Sequence, residues 1–251
     1  MLRTEPARRV AIAGATGLIG SQLARLAERA GHTVVPLSRS TGVDLTVPGS
    51  VGGRLDGVDT LVDVTRSPSM DREKAVEFFT TVASNLADAA HAAGVRRTVV
   101  LSIVGVEESQ DYDWYVATLA HERATSRLAP DPCVLRATQF HEFPEQVLHR
   151  SRTGDEAAVM DIPIQPVASA EVARTLLDMS TDERSGDVDL AGPRPESLVD
   201  LVGRLVVLRG DPVVVVPEQA PASMAGGSLL PGPDALIRGL DWETWAQSTY
   251  A

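Results

Sequence analysis

The sequence predicts an α/β fold, a doubly wound parallel sheet with helices on both faces, followed by a smaller lobe. Three observations predict it: short apolar runs alternate with amphipathic stretches from Arg9 to Arg150, a glycine-rich turn joins the first run to the first helix, and the pattern changes beyond Ser151. Arg9 to Gly14 is a strand-length apolar run, and Leu18 to Ala30 carries apolar residues at helical spacing until Gly31 stops it. Thr33 to Leu37 reads as the second strand, and a short strand is expected near Gly42 to Leu45. Val58 to Val64 and Thr98 to Leu101 read as two more, separated by the Ala-rich helix Met70 to Ala93. Asp113 to Leu128 is helical in pattern, Cys133 to Ala137 is strand-like, and Phe140 to Arg150 begins another helix. Strands that alternate with helices pair in parallel, and the helices cover both faces of the sheet.

Residues 1–155 therefore read as the core and 156–251 as a smaller α+β lobe with more prolines and glycines. Within that lobe Glu171 to Met179 and Ser197 to Leu208 read as helices and Asp211 to Pro217 as a β-rich segment. Ala220 to Pro233, rich in Gly, Pro, Ala and Ser, reads either as a lid or as a mobile surface segment.

With 251 residues the chain can bury a substantial core but is too short for two large independent domains. The formal charge of −11, from 34 acidic and 23 basic residues, argues against a general phosphate-backbone binder, so no nucleic-acid partner is expected. The single cysteine, Cys133, excludes a disulfide framework, and the start Met1 to Pro6 lacks the apolar stretch of a signal peptide, which makes a cytoplasmic location the expectation. Apolar runs such as Thr98 to Val106 are of strand length, so no membrane partner is expected either. No Cys, His or carboxylate spacing points to a metal. Oligomeric state has no signature in the sequence.

The strongest motif is Gly14-Ala15-Thr16-Gly17-Leu18-Ile19-Gly20, a G-x-x-G-x-x-G turn directly after the first strand. Glycines there let the backbone approach a pyrophosphate, while the helix that starts near Gly17 points its free N–H groups at the anion. A tight turn with no ligand is the alternative. The flanking strand and helix are those that a dinucleotide site of the Rossmann type requires. At the end of the second strand, where an acidic residue would bond the ribose hydroxyls of NAD, stands Ser38-Arg39-Ser40. The Arg39 guanidinium can hold a 2′-phosphate, with the serine hydroxyls as added donors, which favours NADP(H); the alternative is an Arg39 that is only a solvated surface residue.

Gly14 to Gly20, Asp44-Leu45, Leu101 to Gly105 and Arg136-Ala137-Thr138-Gln139-Phe140 together resemble the NmrA-like atypical short-chain dehydrogenase/reductases. Pro166-Val167-Ala168, Glu171-Val172-Ala173, Leu190 to Pro193, Pro231-Gly232 and Trp242 to Trp245 extend the resemblance over the full length. It implies a Rossmann core, NAD(P) binding and a C-terminal lobe that shapes a substrate pocket. Carried over by position, the resemblance implies that Asp44 and Leu45 lie beside the adenine and Val64-Thr65 near the adenosine ribose. It implies equally that Ser102 ends the strand beneath the nicotinamide, and that Gln139 and Phe140 border the nicotinamide and the substrate. Asp44 is equally well read as a turn former, and Ser102 as a structural hydroxyl.

The sequence departs from that family at the proton relay. Reductases of the superfamily use a Tyr and a Lys four positions apart on one helix, and the matching positions here hold Trp114 and Thr118. Neither residue can do the work of the one it replaces. Tyr115 is adjacent but rotated by about 100° on a helix, and Tyr112 precedes the helix. His141, after Gln139-Phe140, can exchange a proton near neutral pH, and Glu142 beside it is a further candidate. For the tyrosines and for His141 the competing reading is packing. His121 and Glu122 read as structural. Three functions follow. The first is an NADPH-dependent oxidoreductase acting on a carbonyl or conjugated alkene of a small, largely apolar molecule. The second is a redox-neutral cyclase, dehydratase or isomerase using His141, Glu142 or Tyr115, and the third a non-catalytic NADP(H) sensor. The oxidoreductase ranks first.

Overall fold

The computed structural model describes residues 6–182 and 186–250; most of the segment Met1 to Pro6, which bears on the signal-peptide expectation, lies outside the described residues. Strands β1 (Arg9–Ala13), β2 (Thr33–Leu37), β3 (Thr60–Asp63), β4 (Arg97–Ile103) and β5 (Pro132–Ala137) alternate with helices α1 (Leu18–Arg29), α2 (Arg72–Ala93) and α3 (Asp113–Leu128). Helix α4 (Phe143–Ser151) leads into β6 (Arg152–Thr153), β7 (Glu156–Met160) and β8 (Pro163–Ile164), then α5 (Ser169–Thr181), β9 (Val188–Ala191) and β10 (Glu196–Ser197). The chain continues through α6 (Leu198–Arg209), β11 (Val214–Glu218), α7 (Ala222–Ala225), β12 (Leu236–Ile237) and α8 (Trp242–Tyr250).

The main sheet has the strand order β12-β9-β5-β4-β3-β1-β2. β1 pairs in parallel with β2 on one side and β3 on the other, so strand order reverses around β1. This is a Rossmann-type arrangement, and the expected α/β class holds. Such a reversal opens a crevice outside the carboxyl ends of the strands, where Gly14 follows β1 and Val64-Thr65 follow β3.

The short strand expected near Gly42 to Leu45 is absent. In its place a single turn of 3₁₀ helix, Arg39–Thr41, is closed by Gly42 at φ 79°. Pro36 explains the edge: it pairs with Ile12 within β2, and a proline without an N–H is tolerated only where no further strand has to be bonded.

The chain divides into two compact units. The first comprises residues up to Ser102 with Ala117–Leu135 and Val172–Val188. Its core includes Leu37, Val43, Leu45, Val51, Leu55, Leu61, Val82 and Leu86, so α2 and the 43–58 connection share one apolar layer with β1 and β3. The second comprises Ile103–Val116, Arg136–Glu171 and the chain from Asp189 onward. There α6 buries Leu198, Leu201, Val202 and Leu205, a helical stripe, and β11-β7-β6 form a separate three-stranded sheet.

The Ala220 to Pro233 segment is a packed strap. Met224 and Leu229 are buried, the Ser223 N–H donates to the Asp111 carboxylate, and the hydroxyls of Ser109 and Ser228 lie 2.8 Å apart. The strap crosses so closely that a Cβ at Gly105 would stand 1.7 Å from the Ser228 carbonyl oxygen. Composition signalled a loop but not these partners. Among the described residues no helix is long and apolar enough to cross a membrane, and no cluster of three or more His, Cys, Asp or Glu side chains is placed to hold a metal.

Candidate functional site

The glycine turn belongs to the first unit, and each glycine has its own reason. Gly14 takes φ +83°, donates its N–H to the Leu37 carbonyl at 3.0 Å, and lies so close to the next strand end that a Cβ would meet the Val64 carbonyl oxygen at 2.8 Å. A Cβ on Gly20 would stand 2.2 Å from the Gly14 oxygen, so Gly20 lets α1 sit directly on the turn. Gly17 is different: its only close neighbour is the Gly14 oxygen at 3.3 Å, and it is exposed with Thr16 and Leu18, whereas Ile19 is buried. Gly17 is the N-cap of α1 and offers no side-chain cap, so the N–H groups of the first turn are left for a partner outside the helix. Backbone amides, a helix N-terminus and the lack of a side chain at Gly17 together suit a pyrophosphate.

At the end of β2 the Ser38 hydroxyl lies 2.9 Å from that of Ser40, and the Ser38 N–H donates to Thr41 Oγ1 at 3.0 Å. Ser38 is buried and committed to this turn, while Arg39 is exposed. Asp44 forms a turn of its own: Oδ1 accepts from the Thr46 N–H at 3.0 Å and from the Thr46 hydroxyl at 2.7 Å, bonds that hold its carboxyl below the usual range, with Arg39 a lesser cause. Leu45 packs into the apolar layer, and its carbonyl accepts from the Asn85 amide at 2.9 Å. Thr65 donates its N–H to Asp63 at 2.9 Å, and its buried hydroxyl acts on the same carboxyl without the geometry of a full hydrogen bond. The Ser102 hydroxyl is also buried and unpartnered.

The proposed catalytic residues lie in the second unit. Tyr115 is buried and its ring lies 5.6 Å from that of the half-buried Tyr112. Burial pushes the Tyr115 hydroxyl well above the usual tyrosine range. Gln139 opposes that shift from nearby but without the geometry of a full hydrogen bond, and both of its amide atoms are buried without a partner. The Gln139 to His141 backbone is pinned to Val167, which donates its N–H to Gln139 at 2.9 Å and accepts that of His141 at 3.0 Å. Phe140 sits between them, half-buried.

His141 is sealed in. Its Nε2 bonds the Leu240 carbonyl at 3.0 Å, its ring lies 5.2 Å from Trp245, and its own carbonyl accepts the Trp242 indole N–H at 3.0 Å. Burial holds the imidazole below the usual histidine range. A bond to a carbonyl requires the proton on Nε2, which leaves Nδ1 as an acceptor, buried and unpartnered. Glu142 accepts from the Ser169 hydroxyl at 2.5 Å through Oε1, and its Oε2 is buried without a partner.

Residues 10–111 match the sequence model of the NAD dependent epimerase/dehydratase family. The matched span holds the glycine turn, Arg39 and Thr65 and stops before Trp114. No curated protein matches the chain. Solved structures show the same fold across nearly the whole length. UDP-N-acetylglucosamine 4-epimerase from Bacillus cereus superposes with a TM-score of 0.72 at 16% identity, covering 97% of this chain and 96% of that one. dTDP-4-dehydrorhamnose reductase from Bacillus anthracis, solved in complex with NADP, gives 0.71 at 16% identity over 97% and 98%. A short-chain dehydrogenase/reductase superfamily protein from Agrobacterium tumefaciens with bound NAD gives 0.64 at 15% identity over 96% and 90%.

From the sequence His121 reads as structural, with no partner in its own neighbourhood. The structure places His121 Nε2 2.8 Å from Asp63 Oδ2, both side chains almost fully buried, with the imidazole stacked on Phe79 at 4.6 Å and 14°. Burial opposes ionisation of Asp63, but the facing His121 together with Thr65 outweighs it and holds the carboxyl below the usual range. One signal was available: β3 is buried throughout and ends in an aspartate, a charge that needs a partner.

Proposed function

We propose that the chain binds NADP(H) on the Gly14 to Gly20 turn and is an oxidoreductase of the epimerase, dehydratase and reductase kind, acting on a carbonyl group of a small molecule. The carrying observation is the turn itself, in which Gly14 and Gly20 hold the backbone in place and Gly17 leaves the uncapped start of α1 open to an anion. Bound there, the nicotinamide would supply or accept a hydride. Arg39, exposed at the end of β2, is assigned the 2′-phosphate, with Ser40 beside it. Asp44 and Leu45 are assigned to the adenine side, and the segments that carry Thr65 and Ser102 to the ribose and nicotinamide sides. The NmrA-like group remains the finer assignment that the whole-length motifs favour.

The chain's own proton chemistry differs from the Tyr and Lys relay. Tyr115, with its pKa raised, keeps its proton at neutral pH and serves as a hydrogen-bond donor; Gln139 adds an amide. His141 is assigned to packing of α8 rather than to proton transfer, because Nε2 is committed and Nδ1 stays unprotonated. The test is titration with NADPH and NADH, followed by NADPH oxidation against a panel of enones, quinones and nucleotide-linked keto sugars. Absence of binding to either dinucleotide removes the proposal.

One observation favours a second reading, net redox-neutral chemistry. Glu142 has one carboxyl oxygen bonded to Ser169 and the other buried without a partner, and one similar structure is that of an epimerase. Turnover of a substrate with no net change in nicotinamide absorbance, lost in Glu142→Gln, selects this reading over the first.

A further inference from the structure

We propose that the buried Asp63–His121 pair is a positioning pair for the dinucleotide site, a role that rests on the reading of the Gly14 to Gly20 turn as that site. The two oxygens of Asp63 divide the work. Oδ2 meets His121 Nε2 at 2.8 Å, and Oδ1 accepts the Thr65 N–H at 2.9 Å. The residue between them, Val64, donates its N–H to the Ala13 carbonyl at 3.0 Å, and its own carbonyl oxygen is the atom that a Cβ on Gly14 would strike. His121 on α3 therefore reaches the glycine turn through one carboxylate and one peptide.

Burial makes the pair consequential. His121 and Asp63 are 2% and 1% exposed, so neither can touch a dinucleotide, and the aromatic face of Phe79 fixes the plane of the imidazole. A carboxylate in such a place keeps its orientation only while both oxygens are satisfied. Freed from His121, Asp63 has an incentive to turn toward any other donor, and the tether on Thr65 slackens. The buried Thr65 hydroxyl, which acts on the Asp63 carboxyl without the geometry of a full hydrogen bond, moves with it. Asp63 on β3 meets His121 as a charged group from another element, and α2 contributes the uncharged Phe79.

The experiment compares NADPH affinity, by fluorescence titration, with the apo melting temperature in wild type, His121→Phe and His121→Gln. His121→Phe keeps the stack on Phe79 but leaves Asp63 without its partner, whereas His121→Gln restores a donor to Oδ2. The expected result is an affinity weakened roughly tenfold or more in His121→Phe, at a temperature where the variant is fully folded, and recovery to within about threefold of wild type in His121→Gln. A purely structural role lowers the melting temperature of His121→Phe and leaves its affinity unchanged, which overturns the inference. Should His121→Phe fail to fold, the wild type decides: saturation with NADPH must shift both the Thr65 amide and the His121 side-chain nitrogen resonances, and their immobility overturns the inference. Failure of the wild type to bind NADPH is a separate outcome, which removes the dinucleotide reading and this role with it.

Discussion

Gly17 and Gly20 are three residues apart in one turn, yet alanine should damage them in different ways. At Gly20 the added Cβ lies 2.2 Å from the Gly14 oxygen, 2.8 Å from the Ala15 Cα and 2.9 Å from the Gly14 carbonyl carbon. Ordinary contact begins near 3.4 Å, so the start of α1 has to rise by more than an ångström, and every obstructing atom is backbone that no rotamer change can move. Overpacking of this kind costs about 1–3 kcal/mol, and in a chain of this size each kcal/mol lowers the melting temperature by about 2–4 °C. At Gly17 the backbone is extended, φ −76° and ψ 178°, where any residue is comfortable, and the sole close neighbour is 3.3 Å away. Stability should stay within about 0.5 kcal/mol of wild type. The new methyl instead occupies the exposed face that a pyrophosphate would approach, so NADPH affinity should fall by at least about tenfold with little change in melting temperature. Thermal melts and NADPH titrations on the two variants separate the effects. Wild-type affinity in Gly17→Ala would refute the phosphate-cradle reasoning, and a wild-type melt for Gly20→Ala would refute the packing reasoning.

Other expectations are equally direct. Arg39→Ala should weaken NADPH by about tenfold or more while leaving NADH within about twofold, since a charge-assisted phosphate contact is lost and the shared part of the cofactor is untouched; equal loss for both dinucleotides would show that Arg39 does not meet a 2′-phosphate. Burial lowers the His141 pKa from its ordinary value of 6.5, so the unfolded chain takes up the proton first: this contribution to stability is complete above 6.5, shrinks as pH falls below it, and stops shrinking beneath the folded pKa. Melting temperature against pH should therefore decline less steeply below 6.5 in His141→Phe than in wild type, and parallel curves would contradict the assignment. Gly105→Ala places a Cβ 1.7 Å from the Ser228 oxygen at φ +74°, and limited proteolysis should open the 220–233 strap in that variant before any other segment; an unchanged digestion pattern would mean that the strap is not held by this crossing.

What could be read in the sequence was whatever is local. The glycine turn, the helices over Met70 to Ala93 and Asp113 to Leu128, and the strand over Cys133 to Ala137 follow from spacing within one element, and the structure places all of them within a few residues of expectation. What could not be read was pairing over distance. Gly42 to Leu45 has strand-like Val and Leu, but the Ser38 and Thr41 hydroxyls close a tight turn and Pro36 leaves β2 at the edge, so the apolar side chains enter the core from a loop. His121 carries nothing in its own neighbourhood to show that Asp63, 58 positions away, is its partner. His141 looked like an acid or base because of its place after Phe140; only the Leu240 carbonyl and Trp245, contributed by the far end of the chain, reveal that it is enclosed.

The enclosure of His141 also bears on where a substrate would be recognised. Within Gln139 to Glu142 the structure leaves the Gln139 amide nitrogen and oxygen, His141 Nδ1 and Glu142 Oε2 buried without partners. Each such atom costs about 1–3 kcal/mol when nothing satisfies it, a burden rarely concentrated in so short a stretch whose backbone is already fastened to Val167. Packing of α8 accounts for the enclosure of His141 but leaves the Gln139 amide and one Glu142 carboxyl oxygen unsatisfied. A ligand that brings both donors and acceptors would relieve the Gln139 amide and the Glu142 carboxylate together. Under the proposed function, a carbonyl compound that also bears hydroxyl groups should be turned over faster than a purely apolar enone, and equal turnover would show that these atoms do not meet the substrate.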